Sequence, residues 1–338
     1  MKDRSKNQRV LHPSYRACRD QMLTMVILAG LDVFLYGLRP LIILLTAAAV
    51  AVICDLLNAL LRGWRVDPTD LSSVCYALIF AFMMPASCNY LIVVFGSFVT
   101  VMIGKWVFGG WKGYPFHPSA FGFTATAICF SDRIFTYPKT FTNLSLGLEC
   151  TAKLYTSPSQ ALKLGAVPLV DISDMVSGDY CGPMGMTFFL ILVAAMIFLI
   201  LHKEYDWQVS VAFYVGCAVW AFIFPRISAG NLKSVVYELL SGGIAFSAAY
   251  LVNEPTIVPK QPKAMLVYGF FLGIASMIFS RIGVFSLGTP FALLLLSPLT
   301  TWLDRVFTPK IVITVGEEEN SIGEAKVPGA GEGGGNEQ

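Results

Sequence analysis

The sequence predicts an all-α integral membrane protein of about ten transmembrane helices, built as two inverted five-helix repeats with interrupted helices. Three observations predict it. Hydrophobic residues make up 55% of the 338 and charged residues only 14%, with a mean hydropathy of +0.65. A soluble domain carries about 25% charged residues. Apolar runs of roughly 17–25 residues, long enough to cross about 30 Å of hydrocarbon, recur along the chain. Proline stops fall at corresponding places in the two halves.

The apolar runs lie at about 21–37, 40–61, 70–85, 89–107, 117–131, 185–201, 207–225, 234–252, 264–280 and 284–303. The third and fifth are short, and their ends carry Pro85 and a Gly/Pro run, as broken or re-entrant helices do. Residues 1–20 form a polar, basic N-terminal segment. Residues 21–131 hold the first five helices, 132–184 a single long extracytoplasmic loop, and 185–306 the second five. Residues 307–338 end in "GAGEGGGNEQ" and read as a disordered tail. No cleavage site follows the first run, so it reads as a retained span. Placing the N-terminus inside puts about two-thirds of the Lys and Arg on the cytoplasmic side. The protein is therefore expected in the cell membrane, multi-pass, with both termini cytoplasmic and lipid around it. A net charge of +2 gives no footprint for nucleic acid.

The halves repeat. The third run ends "FAFMMPAS" and the eighth "AAYLVNEPTIVP", each stopped by proline, at Pro85 and Pro255. A full run follows each, then a glycine-containing turn and a Pro-Phe pair: Tyr114-Pro115-Phe116 and Thr289-Pro290-Phe291. Five is odd, so the second unit is inverted. Interrupted helices free backbone N–H and C=O groups, which lipid cannot satisfy and which a ligand at the shared seam can. The breaker "FGGWKGYPFHPSAFG", Phe108 to Gly122, has two readings. It presents amide donors at a helix N-terminus to an anion or polar ring, or it is a tight loop whose glycines permit close packing.

Single residues sharpen this. Asp32 and Asp55 lie within the first and second runs. An intramembrane carboxylate is an ion-pathway candidate unless it is simply hydrogen-bonded inside the bundle. Glu254, beside Pro255, is the third candidate: a cation site, or a solvated cap. His12, His117 and His202 have no histidine at helical spacing, so no metal pair is expected. No Cys-x-x-Cys spacing occurs among the eight cysteines, which argues against an iron–sulfur cluster in this chain alone. Cys150 and Cys181 share the outer loop and could form a disulfide or stay reduced. Gly109, Gly110, Gly113 and Gly122 lack the preceding strand of a dinucleotide fingerprint.

Four stretches carry a family resemblance: "KWVFGGWKGYPFHPSAFGF", "DLSSVCYALIFAFMMP", "LSGGIAFSAAYLVNEPTIVP" and "GTPFALLLLSPLTTWLDR". In order and spacing the chain resembles the membrane D subunit of Rnf-type ferredoxin:NAD oxidoreductases. More distantly it is similar to the B subunit of the sodium-pumping NADH:quinone oxidoreductase. The resemblance implies a membrane subunit of an Rnf-like, ion-coupled electron-transport complex, working beside other membrane subunits and a flavin-carrying extracytoplasmic subunit. It implies FMN linked by a phosphoester to an outer-loop threonine, and a second flavin, riboflavin, in the membrane region. His117-Pro118-Ser119-Ala120 stands at the family's Asn-Pro-Ala element, and Gly110 in its Phe-Gly-Gly run, which makes Gly110, His117 and Pro118 candidate ring contacts. In "TAKLYTSPSQALKLG", Ser157 falls on the acceptor threonine and Thr156 on the alanine before it. The family's aspartate there is Thr151. Gly185-Met186-Thr187-Phe188 lacks the family's acidic residue, and Asn253-Glu254 stands where the family has aspartate before proline. The expectation is a divergent paralogue with an altered or lost covalent flavin. The alternatives are an inverted-repeat solute transporter or channel without a redox cofactor, and a cofactor-free scaffold subunit.

Overall fold

The structure, a computed structural model, describes residues 12, 14–63, 67, 69–111, 113–227, 230–241, 243–282 and 287–307. The C-terminal tail beyond Phe307 and most of the N-terminal segment lie outside the described residues.

Helix α1 spans Tyr15–Tyr36, so it begins inside the segment expected to precede the first span. Gly37 stops it at φ +78°, in the left-handed region. Helix α2, Arg39–Arg62, opens with Pro40 in its first turn and closes on left-handed Gly63, whose N–H reaches the Ala59 carbonyl. Helix α3, Ser72–Phe82, is tied down by Asp70, which accepts from the Ser72 N–H and hydroxyl. Helix α4, Tyr90–Phe98, is capped by Asn89 and widens into a π-helical segment, Val99–Trp106. Helix α5, Pro118–Cys129, starts on proline with His117 as its cap.

The outer segment folds into α6 (Ser131–Ile134), a two-residue antiparallel pairing of β1 (Tyr137–Pro138) with β2 (Leu154–Tyr155), α7 (Pro158–Lys163) and α8 (Ile172–Ser177). Then come α9 (Phe189–Leu201), α10 (Trp207–Ile223), α11 (Asn231–Leu240) and α12 (Gly243–Phe246), the last running into a second π segment, Ser247–Leu251. Helix α13 spans Pro262–Ile282 and α14 spans Thr289–Leu296. A 3₁₀ turn leads to α15, Thr300–Phe307.

The architecture is helical, and apart from the short α6, α7 and α8 of the outer segment the helices fall on the apolar runs. Two described helices, Arg39–Arg62 and Pro262–Ile282, are long and apolar enough by themselves to cross a membrane. The bent pair Asn231–Leu240 with Gly243–Leu251 makes a third if counted as one span. Ten spans are therefore not established by helix length. The breaks and the π segments divide several runs into pieces shorter than a bilayer-crossing helix.

Outward faces are apolar: Phe34, Val26, Leu60 and Leu61 are all exposed, as lipid-facing side chains are. The interior holds one continuous core that includes Leu28, Ile43, Phe80, Phe123, Phe213 and Phe246. Helices α10 and α13 press backbone to backbone. A Cβ on Gly273 would sit 2.4 Å from the Phe213 carbonyl oxygen, and one on Gly269 would sit 2.6 Å from that of Val209. This is the small-xxx-small packing used where lipid competes with side chains for the helix surface. Helices α5 and α14, each opened by proline, pack against each other. Pro118 and Pro290 each stand in the first turn of their helix. Pro115, which the repeat pattern pairs with Pro290, lies in the turn before the helix.

Candidate functional site

The chain breaks after Leu251, and Asn253-Glu254-Pro255 crosses the gap before α13. Glu254 is 2% exposed. Its Oε1 accepts from three hydroxyls: Tyr76 at 2.8 Å, Tyr114 at 3.1 Å and Thr256 at 3.2 Å. The two phenol oxygens are also within hydrogen-bonding distance of each other, so one phenol's single hydrogen is divided between its neighbour and the carboxylate. Oε2 lies 3.8 Å from His117 Nε2. His117 Nδ1 is occupied as the cap of α5, accepting from the Ser119 N–H at 3.2 Å. That places the ring's proton on Nε2, which is buried, near the Tyr250 backbone and 3.8 Å from Oε2, without a hydrogen-bond partner among the described residues. No lysine or arginine among the described residues pairs with Glu254. The second half thus supplies a buried carboxylate and Thr256, and α3 and the breaker of the first half supply the two phenols. Asn253, next to it, donates to Ser210 and to the Ala248 carbonyl, closing the freed end of the π segment.

A second cluster gathers at the α2, α3 and π-segment ends. Lys105 is fully buried and donates to Asp70 Oδ2 at 2.8 Å and Ser73 Oγ at 2.7 Å. Ser73 and the Trp106 indole N–H both donate to Asp55 Oδ1, at 2.6 and 2.7 Å. The Lys105 ammonium also lies 4.5 Å from the Trp106 ring centroid. Asp55 and Asp70 therefore share one lysine through Ser73. Beside them opens a cavity of about 310 Å³ walled by His12, Asp55, Asp70, Trp106, Gly110 and Trp111. At its mouth, in the loop before α3, Asp67 accepts from the Thr69 hydroxyl and N–H, which hold its carboxyl below the usual carboxylate range.

Asp32 lies elsewhere. It is fully buried and accepts only from the Gly185 N–H, at 3.0 and 3.3 Å to its two oxygens. Gly185 sits at φ +58° against the Phe82 ring, at the end of the break that follows α3. Arg39 holds the same break. Its guanidinium, fully buried, donates to the carbonyls of Ala86, Cys88, Ser145, Gly147 and Leu148.

The predicted residues thus divide among separate places. Glu254 and His117 meet, Asp55 and Gly110 share the cavity, and Asp32 belongs to the opposite break. His117 and Pro118 are buried in packing and do not reach the cavity that Gly110 lines. The breaker does two jobs. Its His-Pro pair starts a helix whose Ser119 N–H the His117 side chain takes, and its glycines wall the cavity. In the outer segment Ser157 caps α7, buried, its hydroxyl without a partner. Thr156 is exposed. All eight cysteines are free thiols, Cys150 and Cys181 included.

Sequence reasoning missed Tyr76, Tyr114, Lys105, Asp70 and Trp106. Tyr76 and Tyr114 reach Glu254 across 178 and 140 residues, a juxtaposition no local pattern encodes. Lys105 carried the one available signal, a lysine embedded in an apolar run.

A family model described as NQR2, RnfD, RnfE matches residues 12–313, and the chain belongs to that family. Among its relatives is the D subunit of the ion-translocating oxidoreductase complex of Actinobacillus succinogenes, 25% identical over 321 residues, covering 83% of this chain and 89% of that protein. The D subunit of the proton-translocating ferredoxin:NAD(+) oxidoreductase complex of Clostridium ljungdahlii is 23% identical over 297 residues, covering 83% and 86%. The D subunit of the ion-translocating oxidoreductase complex of Haemophilus influenzae is 23% identical over 319 residues, covering 83% and 88%.

Proposed function

We propose that this member of the NQR2, RnfD, RnfE family is the D-type membrane subunit of an ion-translocating electron-transport complex, and that Glu254 lies on its ion path. The observation that carries the second part is the buried Glu254 carboxylate, which has no basic partner among the described residues beyond His117 at 3.8 Å. A charge so placed is strongly unfavourable unless it serves to hold a passing proton or cation. Tyr76, Tyr114 and Thr256 steady Oε1, and Oε2 is the oxygen free to take that ion. Asp55 is a weaker candidate, because Ser73 and Trp106 already occupy one of its oxygens and Lys105 lies near.

The two interruptions support an inverted-repeat reading of ten helical runs. On it, α3, α4 and α5 correspond to α11–α12, α13 and α14, with Pro118 matching Pro290. Both termini then face the cytoplasm, the outer segment faces the opposite side, and the neighbouring subunits are other members of the complex.

A bound flavin would supply one- and two-electron transfer. Of the two candidate hydroxyls, exposed Thr156 fits an esterified phosphate and enclosed Ser157 does not. A noncovalent ring would be held by Trp106, Trp111 and Gly110, in a cavity that sets aromatic walls beside carboxylates. This chain's own residues would bind and orient it there, with Asp55 fixing the Trp106 indole.

Two measurements test the reading. Intact mass and absorbance at flavin wavelengths, before and after denaturation, are expected to show flavin. If it is covalent, Thr156→Val removes the added mass and Ser157→Ala does not, and the reverse pattern moves the linkage to Ser157. In proteoliposomes holding the whole complex, Glu254→Gln is expected to abolish ion movement while flavin reduction continues. Unchanged ion movement takes Glu254 off the path.

A further inference from the structure

Upstream of Glu254 the same helical run bends once before. Helices α11 and α12 meet at 55°. Glu238, in the last turn of α11, is 3% exposed, yet among the described residues neither carboxylate oxygen accepts a hydrogen bond. Arg226 Nε lies 3.4 Å from Oε1, close enough for charge but misaligned for a hydrogen bond. Its Nη2 donates elsewhere, to Ser280 Oγ at 2.7 Å and the Met277 carbonyl at 3.3 Å. Buried carboxylates are normally saturated with donors, because an unmet one keeps its full desolvation penalty.

The unmet oxygens face a small cavity of about 30 Å³. Its other walls include Ser276 and Ser280 of α13, Thr289 of α14 and Ser159 of α7. Ser276 Oγ and Thr289 Oγ1 are 2.6 Å apart and share one hydrogen, so lone pairs remain on both. The wall therefore offers a carboxylate and hydroxyl oxygens, with neither thiol nor imidazole, the donor set of a hard cation. The C-terminal end of α11 adds its negative pole, as half-helices do at cation sites. One carboxylate offset by one guanidinium is too little charge for a divalent ion, and no trio of His, Cys, Asp or Glu gathers among the described residues. The volume admits a single small particle.

We propose that this bend is a site for one dehydrated monovalent cation of sodium size, held by the Glu238 carboxylate, Ser276 Oγ and Thr289 Oγ1. Arg226 is the counter-charge that holds Glu238 when the cation has left. The use of the site in translocation rests on the reading of the chain as part of an ion-translocating complex; binding itself does not.

The full-length purified chain tests it. Radiotracer Na⁺ binding is expected to be saturable, and thermal melts are expected to rise in NaCl over choline chloride at equal ionic strength. Glu238→Gln keeps the side-chain shape and is expected to weaken Na⁺ binding about tenfold or more, since ligand charge sets affinity. Where Glu238→Gln does not fold, Ser276→Ala is expected to weaken Na⁺ binding with its choline melt unchanged. Identical wild-type melts in the two salts, or a variant that binds Na⁺ as the wild type does, overturn the site in favour of a resident water. A flavin-free chain that still binds Na⁺ through Glu238 overturns the electron-carrier reading and leaves this one standing.

Discussion

The break after α3 and the break after the second π segment are alike in sequence, each an apolar helix stopped ahead of proline, and opposite in electrostatics. The first is closed by a cation. Arg39 commits its guanidinium to five carbonyls, and Asp32 takes the remaining N–H of Gly185. The Ala86 and Cys88 carbonyls freed there are met by Arg39 of α2, which ties the break to the outer segment. The second break is closed by Asn253, and Glu254 is left over with one oxygen committed to phenols and one facing only a histidine. The difference teaches that an interrupted helix does not by itself make a site. Each break leaves one buried carboxylate without a basic partner among the described residues, Asp32 on a single backbone N–H and Glu254 on hydroxyls from both halves, and it is the gathering of side-chain hydroxyls and an imidazole around Glu254 that distinguishes the second.

The largest expected effect would break the comparison at the Arg39 end. Replacing Arg39 with methionine leaves buried carbonyls unmet and is expected to destabilise the protein by about 3 kcal/mol or more, read as a lower melting temperature in detergent. Arg39→Lys is expected to recover only part of this, because an ammonium cannot fork across five acceptors. A wild-type melt for Arg39→Met would show that the outer segment holds its place without that residue.

Next in size is the other break. Glu254→Gln keeps an acceptor for Tyr76 and Tyr114, so its melt is expected to stay within about 1 kcal/mol of the wild type while coupling falls. Glu254→Ala orphans the phenols and is expected to cost about 1–3 kcal/mol. If both variants lose stability equally, the carboxylate is a structural cap like Arg39 and the contrast between the breaks fails.

Asp32→Asn is expected to have the smallest effect. One amide oxygen suffices for the Gly185 N–H, so stability should shift by less than about 1 kcal/mol and ion movement should not change. A loss of ion movement in this variant would put a working charge at both breaks.

Much of the fold was legible. Apolar runs located the long helices, Pro85 and Pro255 located two of the breaks, and the shortness of α3 and α5 followed from their flanks. The bend between α11 and α12, inside a run read as continuous, and the outer-segment helices were not foreseen. The site was half legible. A carboxylate in oily sequence is conspicuous, so Asp32, Asp55 and Glu254 stood out. What surrounds each carboxylate was not, and that is what separates a clamp from a site. His117 shows the limit: its place in a Gly/Pro run left packing and a ring contact both open, and its use of Nδ1 as a helix cap came only with the structure. Glu238, lying among apolar residues, drew no notice because its meaning lies in donors that fail to arrive.

The sequence by itself determined that the chain is helical, membrane-bound and interrupted at two prolines, because hydropathy and backbone restriction act over a few neighbouring residues. Only the tertiary structure decided which buried charges are satisfied. That depends on hydroxyls, carbonyls and cations brought from as far as 178 residues away, where a few tenths of an ångström separate a hydrogen bond from an open coordination position.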